Sequence, residues 1–304
     1  ATAGYFLASE ETQASTEIMD NITFAFHQAR NVSNEPFEIY TAELAENIRE
    51  VKVLEELFQE ALENGEFVVY YQPKVGAADR KLYGAEALIR WKDGNNQLIQ
   101  PMEFIPILEK DGKICKLDFY VLNRVCELLQ KCKEQGNTMP HVSVNFSRKH
   151  IGNPDLVKEI VTVIDSYQVP HEYIEIELTE SEDFRDYIVM AKLIGDLKNE
   201  GIRTSIDDFG TGYSSLSYLK TYPIDIIKID QSFIADIEKD KKNEAIIKAI
   251  ILLSQNLGLE VIAEGVEEKN QEQFLLKNHC QKVQGYLYDK PLPANQMIEQ
   301  YLIN

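Results

Sequence analysis

Glu86, Asn145, Glu177, the adjacent pair Asp207 and Asp208, Lys228, Asp230, Glu264 and Gln284 each lie in or at the end of an apolar, β-like run, and Glu180 follows one closely. Carboxylates crowded at one place repel, and their pKa values rise until some take up protons. Divalent cations remove that conflict, and oxygen ligands without His or Cys favour Mg²⁺ or Mn²⁺. Two neighbouring Asp residues suit a two-cation site in which one side chain bridges. Such a site clamps the attacking and leaving oxygens of a phosphoryl displacement. Taken singly, each residue has an ordinary explanation: Glu180 as a helix N-cap, Lys228 as an ion-pair partner at a barrel mouth. Carboxylates with a lysine also fit an enolase-type proton abstractor, although the Asp207–Asp208 pair and Asn145 argue against it. The coincidence of seven such strand ends in one chain favours a site.

Those residues need a scaffold that brings strand ends together. Phe67–Val75, Leu82–Trp91, Val142–Phe146, Tyr173–Leu178, Arg203–Asp207, Ile224–Ile229, Glu260–Ala263 and Lys282–Leu287 read as eight strands. Helical patterns separate most of them; Asn243–Leu257 is the clearest, with Gly258 placed to end it. The spacing predicts an α/β fold, a modified TIM-type (β/α)8 barrel whose C-terminal strand ends converge on one mouth. Only Gly76–Lys81 joins the first two strands, too short for a parallel crossover, so the first runs antiparallel to the second.

The chain has 304 residues, 44% of them hydrophobic, and a net charge of −19. That charge argues against a nucleic-acid polymer as partner but permits a small anion held through a cation. Cys115, Cys126, Cys132 and Cys280 form no C-x-x-C pair and read as reduced thiols of a cytoplasmic chain, whether or not a parent protein is membrane-tethered. No apolar run of about 18 residues marks a membrane segment. Asp208-Phe209-Gly210 has no kinase motifs around it, Gly210-Thr211-Gly212 is too short for a dinucleotide loop, and Trp91, Tyr70 and Tyr71 read as packing. Before the barrel, Thr16–Ala29 reads as an amphipathic helix with Ile18, Ile22 and Phe26 on one face. A short strand follows at Phe37–Tyr40, and then a helix from Leu44 to Asn64. So small a piece cannot bury its apolar face alone, and the helix is expected to cover the barrel or a second copy. The start at Ala1 suggests a piece of a longer protein.

Gly84–Trp91 (GAEALIRW) resembles the signature of the EAL domain. Tyr70–Val75 (YYQPKV), Val142–Ser147 (VSVNFS), Glu175–Ser181 (EIELTES), Asp207–Leu219 (DDFGTGYSSLSYL), Lys228–Phe233 (KIDQSF), Ala263–Glu267 (AEGVE) and Gln284–Pro293 (QGYLYDKPLP) resemble the family's other motifs in order. The resemblance implies a barrel with one antiparallel strand and hydrolysis of cyclic di-GMP to the linear dinucleotide pGpG. It implies two Mg²⁺ or Mn²⁺ ions: one on Glu86, Asn145, Glu177 and Asp207, the other on Asp207, Asp208 and Glu264, directly or through water. Lys228 is implied to contact the attacking water and Glu180 to anchor the loop after the fifth strand. Gln72, Leu88, Arg90, Asp230, Glu267 and Gln284 are implied along the nucleotide groove. Phe146, Glu268 and Lys92–Gln97 depart from the common pattern without removing a ligand, so a receptor that binds without cleaving is the weaker alternative. Residues 1–43 resemble the end of a diguanylate cyclase (GGDEF) domain. This gives a division into 1–43, a connecting helix 44–64 and a barrel 65–304, with a GGDEF or sensor domain upstream in the parent protein and a homodimer as a possible assembly.

Overall fold

The computed structural model describes residues 2–7, 15–31, 36–41, 57–92, 94, 97–110, 112–179, 184–210, 219, 221–303. The chain divides into two compact units, Ala1–Gly65 and Glu66–Asn304.

In the first unit, β1 (Ala3–Phe6) pairs in parallel with β2 (Phe37–Tyr40), and a helix spans Ser15–Asn31. β1 is too short for its periodicity to be read from sequence. The helix approaches β1 closely at Gly4, where a Cβ would lie 2.3 Å from the Phe26 nitrogen and 2.5 Å from the Ile22 carbonyl oxygen. Among the described residues of this helix, Ala25 and Ala29 are fully buried, and Ile18, Ile22 and Phe26 are half-buried. The helix packs on this unit's own two-stranded sheet. Of the expected helix from Leu44 to Asn64, residues 57–64 are helical and residues 44–56 lie outside the described residues.

The second unit is the barrel. Its strands are β3 (Phe67–Gly76), β4 (Leu82–Lys92), β5 (Leu98–Ile99), β6 (His141–Phe146), β7 (Ile174–Thr179), β8 (Arg203–Phe209), β9 (Ile226–Ile229), β10 (Glu260–Ala263), β11 (Lys282–Gln284) and β12 (Leu292–Pro293). The order β3-β11-β10-β9-β8-β7-β6-β4 closes by pairing β4 with β3, which makes eight staves; β5 and β12 add short pairs to β4 and β3. β3 is antiparallel to both neighbours, and the other staves are mutually parallel. The short connection after β3 dictates this arrangement.

Strict alternation divides the staves. Val142, Val144 and Phe146 of β6 and Ile174, Ile176 and Leu178 of β7 are buried on one face. Ser143 and Asn145, and Glu175 and Glu177, take the other face, toward the lumen. The lumen is therefore polar, unlike the branched apolar filling usual in such barrels. The helix Lys241–Asn256 starts two residues before the expected Asn243, because the Asp240 side chain caps it by accepting from the Lys242 N–H at 2.8 Å. β11 ends at Gln284 rather than at the expected Leu287. A Cβ at Gly285 would lie 2.1 Å from the Val266 carbonyl oxygen, so the chain turns against that backbone.

Candidate active site

Lys228 stands at the centre of the mouth. It is fully buried on β9, and its Nζ lies 2.7 Å from Glu264 Oε1, 2.8 Å from Glu177 Oε2, 3.0 Å from Asp207 Oδ1 and 3.5 Å from Glu86 Oε2. Four of the carboxylates singled out in the sequence thus meet on one ammonium. Glu86 is fixed further by amides: Asn145 Nδ2 donates to its Oε1 at 3.0 Å, and Gln284 Nε2 donates to its Oε2 at 2.6 Å. Gln284 Nε2 also reaches Gln72 Oε1 at 3.2 Å.

Asp207 and Asp208 are neighbours, and a regular strand would send them to opposite faces. The β8–β9 register resolves this. Ile206 pairs with Ile227 and Phe209 with Ile229, so the two aspartates stand opposite Lys228 alone. This is a β-bulge, which re-aims side chains. Asp208 takes a left-handed φ of 52°, a conformation costing about 1–2 kcal/mol for a residue with a side chain. As a result Asp207, Asp208 and Glu264 each present an oxygen within 4.8 Å of one another.

The electrostatics follow from burial and crowding. Burial, followed by the charges of Glu177 and Asp207, raises the pKa of Glu86. Burial likewise drives Glu264 well above the ordinary carboxylate range despite Lys228. Asp208 is raised to about 6 by burial and by the charges of Asp207 and Asp230. Glu177 goes the other way. Burial would raise it, but Lys228 and Lys74 bind one oxygen each and hold it at about 2. Lys228 loses hydration by burial, yet its four carboxylates keep it firmly protonated.

A cleft of about 220 Å³ opens beside this cluster, with Gln72, Glu86, Leu88, Asp208, Asp230, Glu264, Glu267 and Gln284 among its lining residues. Asp230 also caps the short helix Gln231–Ala235 by accepting from the Ser232 N–H at 3.0 Å. Arg90 does not line this cleft; its guanidinium donates to the Ile89 carbonyl at 2.8 Å and lies 6.0 Å from the centre of the Tyr70 ring. Glu180 lies outside the described residues. Trp91 is core packing, its indole N–H donating to Glu66 Oε2 at 3.0 Å.

Three polar residues escaped the sequence reading. Lys74 and Glu175 are buried in the lumen, one layer below the mouth. Their signal was present: each lies two residues from a residue already singled out, Gln72 and Glu177, and so shares its strand face. Asp118 accepts from the Ser147 N–H at 2.9 Å and pairs with His150 at 3.0 Å, which pins the turn after Asn145. Asp118 lies on a helix, and nothing in its local pattern distinguishes it from a surface charge.

The sequence profile of the EAL domain matches residues 55–291. The chain is 36% identical over 301 residues to the signaling protein YkoW of Bacillus subtilis, covering 99% of this chain and 37% of that protein. It is 34% identical over 302 residues to the cyclic di-GMP phosphodiesterase NbdA of Pseudomonas aeruginosa, covering 99% and 38%. The chain thus spans well under half the length of these relatives. Among solved structures, a PaMucR phosphodiesterase in complex with c-di-GMP superposes with a TM-score of 0.76 at 36% identity, covering 80% of this chain and 99% of that one. The EAL enzyme Bd1971, in its cAMP- and cyclic-di-GMP-bound form, gives 0.79 at 27% identity, covering 95% and 76%. Fold and sequence profile agree, and the chain belongs to the EAL domain family of cyclic di-GMP phosphodiesterases.

Proposed function

We propose that this chain itself hydrolyses cyclic di-GMP to pGpG with the help of two divalent cations. The observation that carries the reading is the convergence of Glu86, Glu177, Asp207 and Glu264 on Lys228, with Asn145 on Glu86 and Asp208 beside Asp207. Every ligand position implied by the resemblance keeps an oxygen-bearing side chain. With Glu175, six carboxylates share the lumen and mouth with two ammonium groups, Lys74 and Lys228. The raised pKa values of Glu86, Asp208 and Glu264 mark a shortage of positive charge that Mg²⁺ or Mn²⁺ is suited to fill.

Glu86, Asn145, Glu177 and Asp207 would hold one cation, and Asp207, Asp208 and Glu264 the other. When bound, such cations make water a nucleophile at neutral pH and offset charge on phosphoryl oxygens. The protein's residues supply the remainder. The cleft beside Gln72, Leu88, Asp230, Glu267 and Gln284 receives the dinucleotide, and Arg90 serves a phosphate at its edge. Asn145 and Gln284 fix the orientation of Glu86. Lys228 stays protonated, so it orients the attacking water and offsets developing charge instead of acting as base. Attack of water at one phosphorus breaks its bond to the ribose O3′ and leaves a 5′-phosphate and a 3′-hydroxyl. Turnover of cyclic di-GMP with Mg²⁺, and its loss with Asp207→Asn, tests the proposal. Binding without any turnover would favour the receptor reading. The first unit, a helix on a two-stranded parallel sheet, is compatible with the end of a GGDEF domain over residues 1–43.

A further inference from the structure

Lys74 is a buried ammonium that the proposed reaction does not use. It sits on β3, on the lumen side with Gln72, and its side chain is 1% exposed. Its Nζ donates to Ser143 Oγ at 2.7 Å, Glu177 Oε1 at 2.9 Å and Glu175 Oε1 at 3.3 Å. An ammonium has three N–H groups, and here all three are occupied. The Glu177 carboxylate is divided in consequence. Its Oε1 faces Lys74, and its Oε2 faces Lys228 at 2.8 Å. Lys74 also pairs with Glu175, two residues nearer the start of β7, so the oxygen it holds is the one turned away from the mouth.

A carboxylate held this way offers a cation at the mouth a single oxygen. Lys74 is not free to step aside, because its departure would strand the buried Glu175 carboxylate without a counter-charge. Single-oxygen ligation distinguishes cations. Mg²⁺ demands near-octahedral geometry from close, single oxygens, whereas Ca²⁺ accepts more ligands at longer distance and readily takes both oxygens of a carboxylate.

We propose that Lys74 is a positioning residue that sets the cation preference of the mouth, occupying the inner oxygen of Glu177 so that Glu177 serves Mg²⁺ with one oxygen and is denied to Ca²⁺ as a two-oxygen ligand. The inference rests on Glu177 being a cation ligand, as put forward above.

The test is calorimetric titration of Mg²⁺ and of Ca²⁺ into the metal-free chain. Lys74→Met with Glu175→Gln removes the ammonium together with the carboxylate it would strand. Glu175→Gln alone leaves Lys74 on Glu177. The double variant shifts the ratio of the two dissociation constants toward Ca²⁺ by about tenfold or more, the scale on which partners behind metal ligands act. Glu175→Gln keeps the wild-type ratio. A double variant with the wild-type ratio overturns the proposal. A wild-type chain that binds neither cation overturns instead the reading of the mouth as a cation site. A crystal structure of the unaltered chain with Ca²⁺ gives a second measurement that needs no variant to fold. Glu177 bound through one oxygen, with Lys74 still on the other, supports the proposal; both oxygens on the ion with Lys74 displaced overturns it.

Discussion

Lys228 illustrates how burial and charge compete at one atom. Dehydration favours a neutral amine, and four carboxylates within 3.5 Å overcome that preference. Its close contacts with Glu86, Glu177, Asp207 and Glu264 reach beyond the Asp208 carboxylate. Lys228→Ala should lower kcat by about 10²- to 10³-fold, the usual effect of removing one donor aimed at developing charge, while cyclic di-GMP still binds. Lys228→Arg should also be poor, because a planar fork cannot replace a compact ammonium among four carboxylates. Steady-state kinetics beside equilibrium binding decide the matter; near-normal kcat in Lys228→Ala leaves only a structural role. Arg90 lies two residues beyond Leu88 on the face of β4 that carries Glu86, toward the mouth. Arg90→Ala should raise KM with little change in kcat, the mark of a contact equal in ground and transition states. An unchanged KM contradicts a phosphate contact at Arg90.

At the scale of elements, the bulge in β8 lets adjacent aspartates share one site. The sequence showed that Asp207 and Asp208 end a strand; it could not show that two residues oppose Lys228 alone, because register is a property of the pair of strands. Asparagine adopts the left-handed conformation readily, so Asp208→Asn should keep the bulge. It also removes one charge from a crowded group. Without metal the variant should melt no lower than metal-free wild type, and with Mg²⁺ it should lose turnover, as calorimetry and kinetics would show; a large drop in melting temperature contradicts this account of the bulge. At the opposite end of the barrel, Glu260 closes a cluster in which Arg203 and Lys282 each approach it at 2.7 Å and Tyr83 donates to it. Burial works against its charge, but Lys282, Tyr83 and Arg203 hold its pKa at about 2. An unfolded Glu titrates near about 4.3, so the pairing stabilises the fold above that pH and fades as pH falls toward about 2. Glu260→Gln should therefore lower the melting temperature at neutral pH by an amount that shrinks on acidification. A gap that stays constant down to about pH 2.5 would place the effect elsewhere.

At the scale of the whole molecule, the barrel and most of its mouth were legible because strand periodicity and strand-end polarity are local. The antiparallel first stave followed from a connection too short to cross over. What escaped was set by tertiary pairing: β1, which reads as a strand only beside β2; the small-residue face of the first helix, chosen by the approach at Gly4; and Lys74 with Glu175, whose lumen positions gain meaning only when the barrel closes. No helix among the described residues is long and apolar enough to cross a membrane. None of the proposed ligands lies in the first unit, so removing residues 1–43 should leave turnover of the same order. A soluble, folded but inactive truncation would give that unit a part in the reaction. The central claim is metal-dependent hydrolysis at the barrel mouth, and the measurement that bears on it most directly is the appearance of pGpG from cyclic di-GMP, followed with Mg²⁺ and again with excess chelator. The account predicts steady product formation with Mg²⁺, none with chelator, and recovery when Mg²⁺ is restored; undiminished turnover in chelator would contradict it.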